Sequence, residues 1–226
     1  MFPVPVIFEP TDRRIRMQRD GQAVADSTRA MLLIEPGRHP VYYLPAADFI
    51  PAALATLDDA VRPLEAERLG LRNTEAYLTA VWDAVRWFEE DEEIFRHPRN
   101  PYARIDPIPS SRRVQIVLDG QIVADTTRAV FLFETGLVTR YYIPRADVRQ
   151  DLLRDSALTT YCPYKGAAHY HSVELDGRSH ADIVWFYPDP TDEAFRLKDL
   201  LSFYNEKVEA VLVDGEEAVP RFPMRI

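Results

Sequence analysis

Apolar and polar positions alternate over short stretches for most of the chain, and Asp-Gly pairs punctuate them. Val114, Ile116 and Leu118 share one face of a strand that runs into Asp119-Gly120. Asp20-Gly21 and Asp176-Gly177 stand in the same relation to their flanking apolar runs. Asp-Gly supplies the positive-φ residues of a type I′ turn, so each pair predicts a tight hairpin. Further strands are expected at "AVFLFE", "RYYI", "AHYHSVEL", "DIVWFY" and "KVEAVLV", with Pro144 ending the second because proline cannot donate to a ladder. The succession predicts a mainly β, antiparallel fold. One stretch, residues 51–95, breaks the pattern. There Tyr77, Val81, Val85 and Phe88 fall at helical spacing, Asn73 is a suitable N-cap, and no Gly or Pro interrupts residues 74–95, so this segment is expected to be largely helical. Its acidic run, residues 89–93, reads as the solvated end of that helix.

The pattern repeats. Residues 14–48 and 113–147 align without a gap at an offset of 99 and are identical at 18 of 35 positions. Self-similarity of this length predicts a duplicated unit. The seam "RNPYARIDPIPSSRR" carries Pro101, Pro107 and Pro109, which mark a linker. The expected division is 1–108, a degenerate first repeat with helical elaboration, and 109–226, a complete second repeat.

Composition narrows the function class. The chain has 226 residues, 46% hydrophobic, and a net charge of −9, which disfavours a nucleic-acid partner because phosphate binding needs clustered cations. No apolar run is long enough for a membrane span, and the start lacks a basic region before an apolar stretch, so the expected address is cytoplasmic. A single cysteine forms neither an intrachain disulfide nor an all-cysteine zinc site.

Chemistry-bearing residues crowd the second repeat, above all "TYCPYKGAAHYHSVELDG" at 160–177. Pro163 favours extended geometry at Cys162 and Gly166 suits a turn, so Cys162 and Lys165 are expected to flank one tight loop. An ammonium close to a thiol favours the thiolate. Two readings stand: Cys162 as nucleophile with Lys165 as stabiliser, or Cys162 as a small packed hydrophobe with Lys165 capping a turn. His169 and His171 share a strand face and are the available acid or base. As a His-x-His pair they also have the spacing of two zinc ligands, with Cys162, Glu134 or His180 as a third, although no metal site is assigned. Arg128 and Glu134 recur as Arg29 and Glu35, and such opposite charges are expected to pair and brace the sheet or, in the second repeat, to orient a ligand. Tyr141, Tyr142, Tyr161, Tyr164, Tyr170, Trp185 and Tyr187 make either a core or an aromatic pocket. Asp189 and Asp192 read as turn formers, with Mg²⁺ ligation the lesser alternative.

At residues 119–129, 134–148, 162–173, 185–190 and 89–113 the chain resembles the bacterial and fungal family called domain of unknown function 427 (DUF427), whose pattern includes "CPYKG.A.Y.sV" and "ETGLP.RYY.P..DV". The resemblance implies an antiparallel β-tent (Mss4-like) fold, akin to methionine sulfoxide reductase B and the cereblon ligand-binding domain but without their paired Cys-x-x-Cys knuckles. The family is at times labelled nucleotidyltransferase, yet with 8 glycines and no Gly-rich loop this chain lacks a recognisable phosphate cradle. The first repeat has lost "CPYKG", so a two-site mechanism is not expected. In the family pattern the position of His169 is commonly Ser or Thr, which weakens the zinc reading. The expectation is a pocket in the second repeat, built from Arg128, Glu134, Tyr142, Tyr161, Cys162, Lys165, His169, His171 and Trp185, that binds a small polar or anionic metabolite. An enzyme using Cys162, Lys165 and a histidine, or a non-catalytic binding module, would both fit. No cofactor is identified.

Overall fold

The computed structural model describes residues 5–72 and 76–218. It is mainly β, with four sheets of antiparallel strands distributed over two compact units, residues 1–100 and 101–225.

In the first unit β1 (Ile7–Pro10), β4 (Met31–Ile34), β5 (Val41–Pro45), β7 (Tyr77–Ala80) and β6 (Val61–Pro63) form a sheet in that order. The second sheet runs β3 (Gln22–Ser27), β2 (Ile15–Arg19), β8 (Arg86–Glu89), β9 (Glu92–Ile94). Ile15, Met17, Leu44 and Trp87 pack between them, each at most 2% exposed.

The second unit has a seven-stranded sheet ordered β10 (Ile105–Pro109), β13 (Val130–Glu134), β14 (Arg140–Ile143), β18 (Leu201–Phe203), β17 (Arg178–Phe186), β16 (Gly166–Leu175) and β15 (Leu153–Cys162). Its four-stranded sheet is β12 (Gln121–Thr126), β11 (Val114–Leu118), β19 (Ala210–Val213), β20 (Glu216–Glu217). Strand pleating gives the large sheet two faces. One face sets Phe131, Tyr141, Ile143, Val184, Leu201 and Phe203 against Val114, Ile116, Val123 and Val211 of the smaller sheet. The other carries Val130, Leu132, Tyr142, Tyr170, Trp185 and Tyr187, on which Ala194 and Leu197 of the 3-10 turn Asp192–Leu197 pack.

Strands β2 to β5 recur 99 residues later as β11 to β14, including a bulge after Met17 and after Ile116. The Asp-Gly turns form as the sequence indicates: Asp20 and Gly21 have φ 51° and 76°, Asp119 and Gly120 47° and 74°, Asp176 and Gly177 49° and 78°.

Among the described residues the expected long helix is absent. Residues 76–95 instead hold β7, a 3-10 turn at Trp82–Ala84, and the β8–β9 hairpin, and among the described residues the α-helix of this unit is the four-residue α1 (Pro51–Leu54). Residues four apart share a face on a strand as well as on a helix, so the spacing of Tyr77, Val81 and Val85 did not separate the two periods. Pairing of β8 with β2 decided the matter, and Trp87 is buried and stacked on Trp82 at 5.3 Å. Asn73 lies outside the described residues. The acidic run is a hairpin turn rather than a helix end: Glu90 takes φ 50° and accepts from the Arg14 backbone N–H at 2.8 Å, while Arg13 bonds Glu89 at 2.6 Å. Pro107 and Pro109 sit in the edge strand β10, which pairs with β13, instead of in a linker.

Gly166 ends the loop after β15 with φ 96°, and a Cβ there would lie 3.1 Å from the Asp189 carbonyl oxygen. At Gly177, φ 78°, a Cβ would meet nothing within 4 Å. Gly177→Ala is therefore expected to cost about 1 kcal/mol of backbone strain, and Gly166→Ala a further ~1–3 kcal/mol of crowding; guanidinium unfolding of the two variants should rank them in that order.

Candidate functional site

The "YCPYKG" segment closes a turn in which the Lys165 N–H donates to the Cys162 carbonyl at 3.1 Å, as expected for two residues flanking one loop. Residues 187–199 strap this turn down. Thr191 N–H donates to the Lys165 carbonyl at 3.2 Å, its hydroxyl donates to the Tyr164 carbonyl at 2.6 Å, and Gly166 bridges to Pro190. Lys165 Nζ then donates to Glu134 Oε2 at 2.6 Å, with the two side chains 11% and 8% exposed. Four strand spacings separate β13 from β16 in the sheet order, which is about 19 Å on a flat sheet. A lysine and a glutamate do not span that distance, so the sheet coils across this face until its last hairpin meets the end of β13.

Around the ion pair the same face is aromatic and hydroxyl-rich. Trp185 Nε1 donates to Tyr142 Oη at 3.0 Å in full burial. Thr160 and Tyr170 hydroxyls lie 2.8 Å apart, and Tyr170 is 3.5 Å from Tyr204. Arg140, which stacks over Trp185 at 5.6 Å, is held by Glu206 at 2.6 and 2.9 Å. Burial pushes the Tyr142 and Tyr187 hydroxyls above the ordinary tyrosine range, with Glu134 and Cys162 adding to it, so both stay protonated at neutral pH. Ser202 faces Tyr142 on one side and Trp185 on the other in the strand register; it is 0% exposed and its Oγ has no hydrogen-bond partner among the described residues. Cys162, Thr160 and Tyr204 are partly exposed at the margin.

Of the residues singled out from sequence, the fold brings Glu134, Tyr142, Cys162, Lys165 and Trp185 to this one face. Cys162 pairs with Gly166 and Thr160 with Ala168, the register positions that alternate onto the side of Tyr170. His169 and His171 alternate onto the opposite face, as does Tyr161, the cross-strand partner of Ala167. His169 is exposed; His171 is buried and stacks on Phe186 at 4.9 Å. A Cys162–histidine couple is thus not assembled, because the sheet itself lies between them.

Arg128 and Glu134 do not pair, contrary to expectation. Arg128 precedes β13 and Glu134 ends it, so the strand keeps them apart, and Arg128 instead grips Asp147 at 2.9 and 2.8 Å while Thr126 donates to the same carboxylate at 2.7 Å. The Arg128 guanidinium holds the Asp147 carboxyl below the usual range. Arg29 and Ser27 repeat this arrangement on Asp48, at 2.6 Å each. Glu35, the counterpart of Glu134, meets Arg68 at 3.0 Å. His180 is 2.9 Å from Asp119, and among the described residues no three His, Cys, Asp or Glu side chains converge on a point that would hold a metal ion. Ser202, Thr160 and Arg140 were missed as site residues, and nothing local marks them; Tyr187 was named only among the aromatic residues of the repeat.

The fold and its polar, aromatic face thus define a two-unit, mainly β protein whose second unit carries the shielded Glu134–Lys165 ion pair. The chain belongs to the family described as Domain of unknown function (DUF427), whose model matches residues 7–62 and 106–214. No curated protein matches it.

Removing one partner of the buried pair strands the other charge. Lys165→Met is expected to lose ~3–5 kcal/mol, and the double variant Lys165→Met/Glu134→Leu less than Lys165→Met alone, by chemical denaturation. On the other face Arg145 Nη1 donates to His171 Nε2 at 3.2 Å, while Asp155 lies 3.1 Å from Nδ1 outside hydrogen-bond alignment. Burial, then Arg145, hold His171 below its ordinary value of 6.5, with Asp155 opposing them. The unfolded chain therefore binds more protons than the native one just below pH 6.5, and this part of the stability, complete above that pH, is lost as pH falls. The His171 ring resonance should titrate with a midpoint below 6.5, and wild type should lose more stability than His171→Phe on acidification.

Proposed function

We propose that the second unit is a small-molecule-binding module, in which a compact polar metabolite seats against the coiled face bearing Glu134 and Lys165. The observation that carries this reading is the buried, solvent-shielded ion pair, whose carboxylate acts on the hydroxyls of Tyr142 and Tyr187. Burying both charges is expensive, and replacing them by apolar side chains of similar volume is often neutral or stabilising. Their presence in a largely buried, aromatic face is understandable where convergent polar groups orient a ligand. Cys162 stands at the margin of the face, within reach of such a ligand.

Binding is favoured over Cys162-based catalysis because the two candidate bases, His169 and His171, lie across the sheet from the thiol. A nucleophilic cysteine needs a base or a lowered pKa supplied on its own side. The nucleotidyltransferase label gains nothing here, since the described glycines serve positive-φ turns without forming a phosphate-cradling loop. We further infer that the two units are copies of one β-tent-type ancestor, supported by the strand, bulge and Asp-centred brace equivalences at the offset of 99.

Cys162 is the chain's sole thiol and reports on its own surroundings. A metabolite collection screened by thermal shift is expected to yield stabilising compounds, and at ten times its dissociation constant such a compound should slow iodoacetamide alkylation of Cys162 about tenfold. Stabilising compounds that leave the alkylation rate unchanged would put the ligand elsewhere and overturn this reading.

A further inference from the structure

Resting on that reading, we propose that the group a ligand presents to Glu134 and Lys165 is uncharged and carries a hydrogen-bond donor beside an acceptor, the chemistry of a carboxamide. The charge balance of the face leads there. Lys165 is neutralised by Glu134 at 2.6 Å, and Arg140, the other shielded cation, is neutralised by Glu206 through two bonds. An anion placed here would meet no unmatched cation and would crowd Glu134; a cation would crowd Lys165. A charge brought into such a site without a counter-charge bears the full cost of desolvation.

Hydrogen-bonding capacity, by contrast, is left over. An ammonium has three donors and Lys165 uses one on Glu134. Among the described residues Glu134 Oε1 accepts nothing and the Tyr187 hydroxyl, which Glu134 influences, has no partner. A carboxylate oxygen alongside an ammonium offers one acceptor and spare donors side by side, which a C(=O)NH₂ group satisfies at once through its own N–H and carbonyl. Tyr142 and Tyr187, whose hydroxyls are held protonated by burial and in part by Glu134, are the aromatic neighbours of the carboxylate.

Benzamide, benzoate and benzamidine share one ring and differ in the charge of the group attached to it, so they separate the possibilities. Binding to the intact protein is followed by saturation-transfer NMR, and occupancy of this face by protection of Cys162 from iodoacetamide. The expected result is that benzamide binds and protects Cys162, with benzoate and benzamidine at least tenfold weaker. Glu134→Gln, which removes the negative charge and keeps the shape, should move the preference toward benzoate; should that variant fail to fold, the ranking on wild type decides alone. Benzoate or benzamidine protecting Cys162 as well as benzamide would overturn the proposal while leaving the binding face in place. Failure of all three would also overturn it, and the metabolite screen then tells whether the face binds anything: protection of Cys162 by another compound keeps the module reading, and none removes it.

Discussion

A seven-stranded sheet that were flat would hold the β15–β16 hairpin far from the end of β13. The contact between Lys165 and Glu134 exists only because the sheet coils, and once formed it ties the coil at both ends of the face. Much else follows from this closure. The turn carrying Lys165 is pressed against residues 189–191, which demands a residue without Cβ at Gly166, and the coiled face gathers Tyr142, Tyr170, Trp185 and Tyr187 into one cluster under the Asp192–Leu197 turn. Cys162 owes its position at the margin to the same hairpin.

The first unit solves the equivalent problem with other parts. Its Glu35 occupies the strand position of Glu134 but meets Arg68, which arrives from the segment between β6 and β7, and its second sheet is completed by β8 and β9. A carboxylate at the end of that strand and a cation brought to it from outside the repeated segment are common to both units. The identity of the cation and its surroundings differ, and with them the chemistry available: Glu35 is in a cluster with Glu65 and two arginines near the surface, whereas Glu134 has a single shielded lysine amid aromatic rings.

The pleat is the second constraint that organises function. Residues two apart share a face and residues one apart do not, so "YCPYKGAAHYH" is split between two environments that have no access to each other. Sequence adjacency suggested one site containing Cys162, Lys165, His169 and His171. The register sends the first pair to the aromatic face and the histidines to the other, where His171 packs with Phe186 and Arg145 instead. Alternation along β16 was legible in the letters, since His169 and His171 were rightly put on one side; what was missing was that Cys162 approaches from β15 in a register that aligns it with Gly166, three positions away from His169 and thus on the other side.

Local rules governed by the backbone of a few residues were determined by the sequence alone. Asp-Gly turns, the strands flanking them and the Cys162–Lys165 turn each depend on φ preferences and period, which short segments carry within themselves. Where two periods fit the same letters, as at Tyr77, Val81 and Val85, the partner strand made the choice, because a strand's ladder bonds and its burial come from outside the segment. Charge partners were likewise a tertiary matter: Arg128 and Glu134 are near in sequence yet separated by the length of β13, while Glu134 and Lys165, 31 residues apart, touch. Ser202 shows the limit most plainly, for nothing in "LSFYNEK" distinguishes its hydroxyl until β18 is threaded between β14 and β17, and the burial and lack of a partner that make it notable are properties of that arrangement.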